Sequence, residues 1–371
     1  MVTMPLHFAS IVEEAVHASQ TNERNAAQAL WRQACSVGLL RPPDGESSRR
    51  DSILYSLELG KHGLLDLPFW MQRDVIPRLV DFTDSWTLPH FGDLRDGQNV
   101  VLGIGLSEAH SASSFTRLTC TAAYDPNREQ YAIEGEKRHV TNACIADAIV
   151  ISARVHRDNQ TRVGLFLVDS RLPGVAIEPT PLGDGLELLA TGTVQLTNVL
   201  VPATHLLGGS PNAVVQLAAP MAVERLMLGN MARAAASVAV DQLSERMTSG
   251  KGGNFKASSD RATTLLSELC ARGMAVDAFG QVLADDYIHG RLLSAERAAA
   301  YKVLSISYLI DALQVLIRLR TASEMEAESQ IPARLSLDAR LRAAIAQGLA
   351  GGTEHALSRL IISSANPKKT H

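Results

Sequence analysis

Apolar positions in the first hundred residues follow a helical period. They recur at steps of three and four residues, the spacing that places side chains on one face of an α-helix. The runs are Ile11, Val12 and Ala15, then Ala27, Leu30, Trp31 and Ala34, and then the segment from Ser52 to Leu59. Pro42-Pro43-Asp44-Gly45 interrupts the pattern as a turn would. This block predicts several helices.

The pattern changes to that of β-strands at about residue 101. Tyr131, Ile133 and Gly135 alternate with their neighbours, and apolar runs of strand length follow at 148–155, 163–168 and 193–201. Turn-forming residues such as Pro173 and Gly174 separate these runs. The middle block therefore predicts an antiparallel β-domain of about a hundred residues.

From about residue 213 the helical period returns. Pro220 is expected in the first turn of a long helix, because proline fits there, and Met221 to Met247 continues without another proline. A later apolar face is formed by Val303, Ile306, Ile310, Leu313 and Ile317. Such helices usually form a four-helix bundle. The three blocks predict an α+β multidomain protein: an N-terminal α-helical domain (1–100), a middle antiparallel β-domain (101–210) and a C-terminal helical bundle (211–371).

Composition narrows the class of protein. The chain has 371 residues, 46% of them hydrophobic, which is ample material for packed cores. A net charge of −4 argues against nucleic acid or a membrane surface as partner. The four cysteines form no CxxC pair, as expected in a reducing compartment. No apolar run approaches the roughly 20 residues of a membrane span, and the N-terminus lacks the pattern of a secretory signal. We therefore expect a soluble, cytoplasmic protein.

Common catalytic and nucleotide motifs are missing or incomplete. Gly103-Ile104-Gly105 could open a dinucleotide fingerprint, but position 108 is Glu108 and not the third glycine. The histidines show no HxxxH or HxH pairing, so we expect no metal site. Ser107 and Ser113 lack the GxSxG context of a hydrolase nucleophile. These patterns leave room for a cofactor held between domains.

Several short segments occur in an order typical of one known family. They are Gly105-Leu106-Ser107-Glu108, the run from Gly135 to Asn142, Ala146-Asp147, Leu182-Gly183, Thr197-Asn198-Val199, Val201-Pro202 and Leu206-Leu207-Gly208. In this ordered set the chain resembles the acyl-CoA dehydrogenase family of flavoproteins. The resemblance implies that FAD lies between the β-domain and the bundle and that an acyl thioester is oxidised. It also implies a homodimer or homotetramer, because the adenosine end of FAD reaches a neighbouring subunit in that family.

The resemblance also implies a set of cofactor contacts. Leu106 and Ser107 would line the flavin and bond its polar edge. His139 stands where the family usually has an aromatic residue against the ring, and Thr141 would bond near the reactive nitrogen. The remaining candidates are Ser113 near the thioester or flavin, Arg246 on the pyrophosphate and adenine side, and Thr353 in the Gly351-Gly352-Thr353 segment.

The catalytic base follows from the same resemblance. Many members place a glutamate just before a Gly-Thr pair, but here that position is Gly351, which cannot act as a base. Other members supply the glutamate from a Glu-Arg-Leu pattern on the first long helix of the bundle, which Glu224 matches. An acid near a helix start also complements the helix dipole, so Glu224 has a structural alternative. Glu354 lies on the wrong side of the Gly-Thr pair.

Two departures from the family leave the chemistry open. The segment beginning at Arg246 lacks the family's aromatic residue, and the run 317–320 replaces an expected Gly-Gly segment. With the short chain, these departures resemble dehydrogenases that act on acyl groups bound to carrier proteins in polyketide extender-unit pathways. The prediction is an FAD-dependent dehydrogenase of an acyl thioester, on CoA or an acyl carrier protein. The first alternative is a flavin-dependent monooxygenase or hydroxylase on the same fold. The second is a non-enzymatic flavoprotein or a structural subunit that shares only the fold.

Overall fold

The computed structural model describes most of the chain, with gaps. The described residues are 11, 23–36, 38–65, 69–80, 87–88, 92–93, 100–110, 115–157, 160–180, 182, 186–248, 260–319, 336–348, 357 and 361. Two predicted cofactor residues, Ser113 and Thr353, lie outside them, as do Gly351 and Glu354.

Helices dominate the N-terminal part, as predicted. They are α1 (Glu23–Ser36), α2 (Glu46–Lys61) and a π-helical turn (Met71–Val75) that continues into α3 (Ile76–Val80). The helices predicted at 27–34 and 52–59 are confirmed within α1 and α2. The Pro42-Pro43 pair falls between them. A short ladder of β1 (Thr87–Leu88) and β2 (Gly92–Asp93) follows, which the sequence pattern did not predict.

Among the described residues, seven strands form the central sheet. They are β3 (Leu102–Gly105), β4 (Thr121–Asp125), β5 (Gln130–Val140), β6 (Ala148–Arg157), β7 (Gln160–Asp169), β8 (Val175–Pro179) and β9 (Gly192–Pro202). Strand β6 pairs with β7, with β3 and with β4. From β4 the sheet continues through β5 and β9 to β8. Most pairings are antiparallel, as predicted, but β3 and β4 both run parallel to β6. Hydrophobic period alone does not encode strand direction, so these two pairings could not be read from it.

Apolar side chains on the two faces of the sheet enter separate cores. One face closes on itself around Tyr131, Ile133 and Phe166. The other face, with Leu102, Val150 and Leu167, packs against α3 and against the start of the long helix that begins at Ala213. Alternation of side chains along each strand produces these two faces.

The C-terminal part contains four described helices. They are α4 (Ala213–Thr248), α5 (Asp260–Ile288), α6 (Ala295–Arg318) and α7 (Leu337–Gln347). The helix start expected near Pro220 is wrong, because α4 begins at Ala213 and Pro220 lies inside it. Ala213 and Leu217 are buried against the sheet, and Met221 packs on the same cluster. Residues spaced by four lie on one face of a helix, so all three pack against the same cluster. This packing stabilises the helix through Pro220, although proline cannot donate a backbone hydrogen bond.

The buried face of α6 is broader than the predicted stripe. Ile306 and Leu313 are buried as expected, but Val303 is half-buried, and Lys302 and Ser305 lie on the buried face. By length and composition α6 could cross a membrane, yet half of its most apolar stretch is buried inside the fold. The same test is met by the core helix of a soluble protein, so it is weak evidence for a span.

The N-terminal helices and the bundle share one apolar core. Trp31 of α1 and Leu59 of α2 belong to the same buried cluster as Leu226 of α4 and Leu309 of α6. The division into 1–100, 101–210 and 211–371 stays a prediction. Strands β3 to β9 fall within the second range and α4 to α7 within the third.

Candidate functional site

The predicted cofactor residues of the β-domain meet where β3 and β5 end. Thr141 forms an antiparallel bridge with Ile104, and the Arg138 amide donates to the Ser107 carbonyl at 2.9 Å. These two pairings share one register, which places Leu106 opposite His139. The structure therefore brings Leu106, Ser107, His139 and Thr141 together at one edge of the sheet.

A distortion of β5 shapes this edge. The pairing of β5 with β9 shifts between Lys137 and Val140, and His139 between them adopts a left-handed backbone with φ of 53°. A β-bulge of this kind bends a strand and redirects its side chains. His139 is exposed as a result. Asn142 also has a left-handed backbone, with φ of 62°. Its backbone N–H donates to the Leu189 carbonyl at 2.8 Å and thereby anchors the turn that follows.

The hydroxyls of Ser107 and Thr141 are candidates for contact with a ligand. Both residues are half-buried, and neither hydroxyl has a hydrogen-bond partner in the part of the chain that the structure describes. The Ser107 carbonyl, in contrast, is already paired with Arg138. Half-buried hydroxyls can bond the polar rim of a bound group without adding charge.

A buried ion pair joins the two segments that form this edge. Lys137 Nζ lies 2.6 Å from Glu108 Oε1, and both side chains are almost completely inaccessible. The other Glu108 oxygen accepts from the Thr119 amide at 2.6 Å and the Thr119 hydroxyl at 2.7 Å. Burial raises the pKa of Glu108, but these hydrogen bonds outweigh it and hold that pKa below its usual value. Glu108 follows Ser107 directly and Lys137 precedes Arg138, so the pair fixes both paired segments. Sequence reasoning assigned neither residue a role.

The π-helical turn also holds β3 in place. Gln72 within it accepts from the Leu102 amide at 3.0 Å and donates to the Leu102 carbonyl. This side chain thereby replaces a strand neighbour at the start of β3. Wider helical turns of this type occur often at functional sites.

Glu224 lies on α4 and is buried, with 6% of its surface exposed. Burial raises its pKa, while the positive charges of Lys302 and Arg225 act in the opposite direction. Lys302, on α6, donates to the Gly348 carbonyl at 3.1 Å. Sequence reasoning missed Lys302. Its signal was a lone lysine among apolar and small residues, one position before the predicted stripe of α6.

One apolar cluster connects the strand-end edge with the beginning of α4. Leu106 and Ile104 pack on the same cluster as Met221, which lies one helical turn before Glu224. The predicted base and the predicted cofactor edge therefore border the same apolar region.

Arg246 is separated from both groups. It lies in the last turn of α4, about 33 Å along the helix from Glu224 at about 1.5 Å per residue. There its guanidinium donates to the Leu316 carbonyl of α6 at 3.4 Å. The structure does not bring Arg246 to the edge formed by Ser107 and Thr141 within one subunit.

No metal cluster accompanies these residues. Among the described residues, no three His, Cys, Asp or Glu side chains are gathered as metal ligands would be.

The region of the central sheet matches a family of known proteins. Residues 103–199 match the family described as "Acyl-CoA dehydrogenase, middle domain". A probable acyl-CoA dehydrogenase of Mycobacterium tuberculosis, FadE10, is 27% identical over 236 residues, covering 62% of this chain. The matched stretch spans only 36% of the length of that relative.

Solved structures extend the similarity over nearly the whole chain. An acyl-CoA dehydrogenase from Bacillus anthracis complexed with FAD has a TM-score of 0.78 at 17% identity, covering 97% of this chain and 64% of its own. The prolyl acyl carrier protein oxidase AnaB has a TM-score of 0.72 at 15% identity, covering 97% of each chain. Likeness at these identities shows the fold, which is that of the acyl-CoA dehydrogenases.

Proposed function

We propose, from the premise that this chain has the acyl-CoA dehydrogenase fold and middle domain, that it binds FAD and oxidises an acyl thioester between its α and β carbons. The observation that carries this proposal is the strand-end edge. It gathers Leu106, Ser107, His139 and Thr141, offers two partnerless hydroxyls among the described residues, and shares an apolar cluster with the helix that carries Glu224.

The residues of this chain supply binding and proton transfer. Ser107 and Thr141 would bond the polar edge of the flavin, Leu106 would cover it, and His139 would lie against the ring. FAD supplies the hydride acceptor when bound. Glu224 removes the α-proton of the thioester, and the apolar surroundings exclude water from that step. We assign Ser113 and Thr353 to the same cofactor site on the strength of the resemblance alone.

The place of Arg246 supports a proposal about assembly. Because this residue is remote from the strand-end edge, we propose that it contacts the cofactor of a second copy in a homodimer or homotetramer. Exposed Met274 and Val282 on α5 offer apolar surface for such contacts.

The thioester carrier is CoA or an acyl carrier protein. The similarity to AnaB, whose name includes an acyl carrier protein, supports the carrier-protein form and a place in secondary metabolism such as polyketide extender-unit synthesis. Cytoplasmic localisation belongs to the same proposal, which includes neither nucleic acid nor a membrane as partner.

Anaerobic titration tests the proposed function. The FAD-bound protein is mixed with short acyl-CoA thioesters and with the same acyl groups on a carrier protein. We expect bleaching of the flavin absorbance by at least one of them. An unbleached flavin with every thioester, together with NAD(P)H-driven oxygen uptake, would support the monooxygenase alternative, which the glycine at position 351 favours. A purified protein that retains no flavin would contradict both.

A further inference from the structure

Ser152 of β6 is a buried serine that the proposed function leaves without a role. Its exposed fraction is 0%, and its strand neighbours Ile151 and Ala153 are buried apolar residues. A hydroxyl in such a place must find hydrogen-bond partners, because taking it out of water unpaired is costly. The partners that the structure shows are Lys137 of the buried ion pair and Leu106 of the strand-end edge.

The chemistry of these partners fixes the direction of each hydrogen bond. Lys137 Nζ lies 3.1 Å from the Ser152 hydroxyl, and an ammonium can only donate. The hydroxyl therefore accepts from Lys137, and its single hydrogen remains for another acceptor. That acceptor is the Leu106 carbonyl, at 3.4 Å. Glu108 Oε1, 2.6 Å from the same ammonium, holds Lys137 in the position that this arrangement requires.

The segment of Leu106 and Ser107 is held by two strands just where the ladder of β3 stops. The pairing of β3 with β6 ends at Gly105. Beyond that point the Ser152 hydroxyl bonds the Leu106 carbonyl from the β6 side. The Arg138 amide bonds the Ser107 carbonyl from the β5 side, at 2.9 Å. A side chain of β6 thus continues the work of the backbone ladder.

We propose that Ser152 is a positioning residue of the flavin site: its hydroxyl, oriented by Lys137, holds the Leu106 carbonyl and keeps this segment in place for the cofactor. This inference rests on the proposed function, because it assigns Ser152 to the flavin contacts of that reaction. A segment that is already ordered loses little conformational entropy when a ligand binds, whereas a released segment must first be ordered. Loss of the hydroxyl should therefore weaken flavin binding, although Ser152 acts only through Leu106.

Ser152→Ala removes the hydroxyl and keeps the ion pair beside it. Riboflavin titration of the full chain, followed by fluorescence quenching, measures the affinity for the ring alone. We expect binding about 5- to 30-fold weaker, the equivalent of ordering one backbone residue. In the flavin-free protein, NMR hydrogen exchange of the Arg138 amide should be faster by a similar factor, because the Ser107 carbonyl that it bonds is no longer held. The Ala203 amide, bonded to the Glu129 carbonyl at 2.8 Å, should exchange at the wild-type rate.

Ser56→Ala is the matched control. Ser56 of α2 is likewise buried, and its hydroxyl donates to the Ile53 carbonyl at 2.7 Å and accepts from Asn230 at 3.2 Å. Its loss should lower the melting temperature, as the loss of a buried hydrogen bond does. Riboflavin affinity and the exchange of the Arg138 amide should stay at their wild-type values. Ser152→Ala would behave in the same way if Ser152 were merely structural.

The outcomes separate this inference from the proposed function. Wild-type riboflavin affinity in Ser152→Ala overturns it, as does wild-type exchange of the Arg138 amide, whatever the melting temperature. If Ser152→Ala does not fold, Ser152→Cys decides, because the thiol is a weaker donor of similar size. Weaker binding with faster exchange supports the inference there, and a wild-type value of either overturns it. If the wild-type protein binds no flavin, the proposed function fails, whereas the exchange of the Arg138 amide still decides whether Ser152 holds the segment.

Discussion

The Ser107 and Thr141 hydroxyls each contribute to flavin binding if they bond its polar rim. A hydrogen bond contributes about 0.5–1.5 kcal/mol net, which is roughly a 2- to 13-fold change in affinity. We expect Ser107→Ala and Thr141→Ala each to weaken flavin binding by that factor, measured by fluorescence quenching. Ser36→Ala, which removes an exposed hydroxyl bonded to the Gln33 carbonyl, is the control. Unchanged affinity in both variants would remove this edge from the cofactor site.

Glu224 gives the second prediction at the residue scale. Glu224→Gln should keep flavin and thioester binding but slow flavin reduction on the order of 10²–10⁴-fold, the usual contribution of a positioned general base. Stopped-flow reduction by one acyl thioester measures it. Asp241→Asn, an exposed acid on the same helix, should reduce at the wild-type rate. Equal rates in Glu224→Gln and wild type would exclude Glu224 as the base.

The ion pair of Glu108 and Lys137 gives a pH-dependent prediction. Loss of one partner of a buried pair costs about 3–5 kcal/mol, so Lys137→Met should lower the melting temperature strongly. Since the pKa of Glu108 is lowered on folding, its contribution is present above the unfolded pKa and is lost as pH falls through the folded pKa. The difference in unfolding free energy between wild type and Glu108→Gln should therefore be full at neutral pH and shrink in acid. A difference independent of pH would contradict this.

Sequence reasoning predicted site residues where a short motif carries them. Ser107 and Thr141 belong to such motifs, and the structure pairs their segments. The ion pair of Glu108 was missed because it depends on a partner far along the chain. Glu108 and Lys137 are 29 positions apart, and no periodic pattern marks that distance.

Helix packing at the element scale depends on close approach around Tyr301. A Cβ atom added at Gly229 of α4 would lie 2.5 Å from the Tyr301 ring of α6, and the Tyr301 hydroxyl donates to Asn230 at 2.9 Å. Gly229→Ala should therefore destabilise the protein by about 1–3 kcal/mol, as overpacking does. Urea unfolding measures it, with Gly45→Ala as control because nothing lies within 4 Å of that position. A stability equal to wild type would show that α4 and α6 can move apart freely.

Element types followed from the hydrophobic period more reliably than element limits or partners. Strands β5, β6, β7 and β9 and helix α6 lie where their patterns predicted them. The start of α4 was misplaced because a local rule for Pro220 was applied without the burial of Ala213 and Leu217. The parallel pairings of β6 depend on tertiary contacts that a local pattern does not contain.

At the scale of the whole molecule, helix α4 extends from the central sheet to the far end of the bundle. α4 begins against the sheet, near the strand-end edge, and carries Glu224 in its first half. Its last turn, with Arg246, lies at the other end of the bundle. The N-terminal helices share the apolar core of α4 and α6. We therefore expect a cofactor contact at Arg246 to come from a neighbouring copy.

Because of this arrangement, contacts with the ring and contacts with the adenosine end of FAD can be tested separately. Arg246→Ala should weaken FAD binding about 10- to 150-fold, the equivalent of a lost charged hydrogen bond of about 1.5–3 kcal/mol. It should leave riboflavin affinity unchanged, because riboflavin lacks the pyrophosphate and adenosine. Ser107→Ala should weaken both ligands alike, because it acts on the ring. Isothermal titration with each ligand measures the two affinities, and Arg272→Ala, at an exposed pair with Asp311, is the matched control.

Light scattering on the same samples completes the argument. If Arg246 reaches the cofactor of a second copy, flavin-bound protein is a dimer or larger, and dilution that yields monomers should release FAD before it unfolds the chain. A monomer that retains FAD at wild-type affinity, and loses it only in Arg246→Ala, would place Arg246 beside its own cofactor. That result would contradict the proposed contact with a second copy.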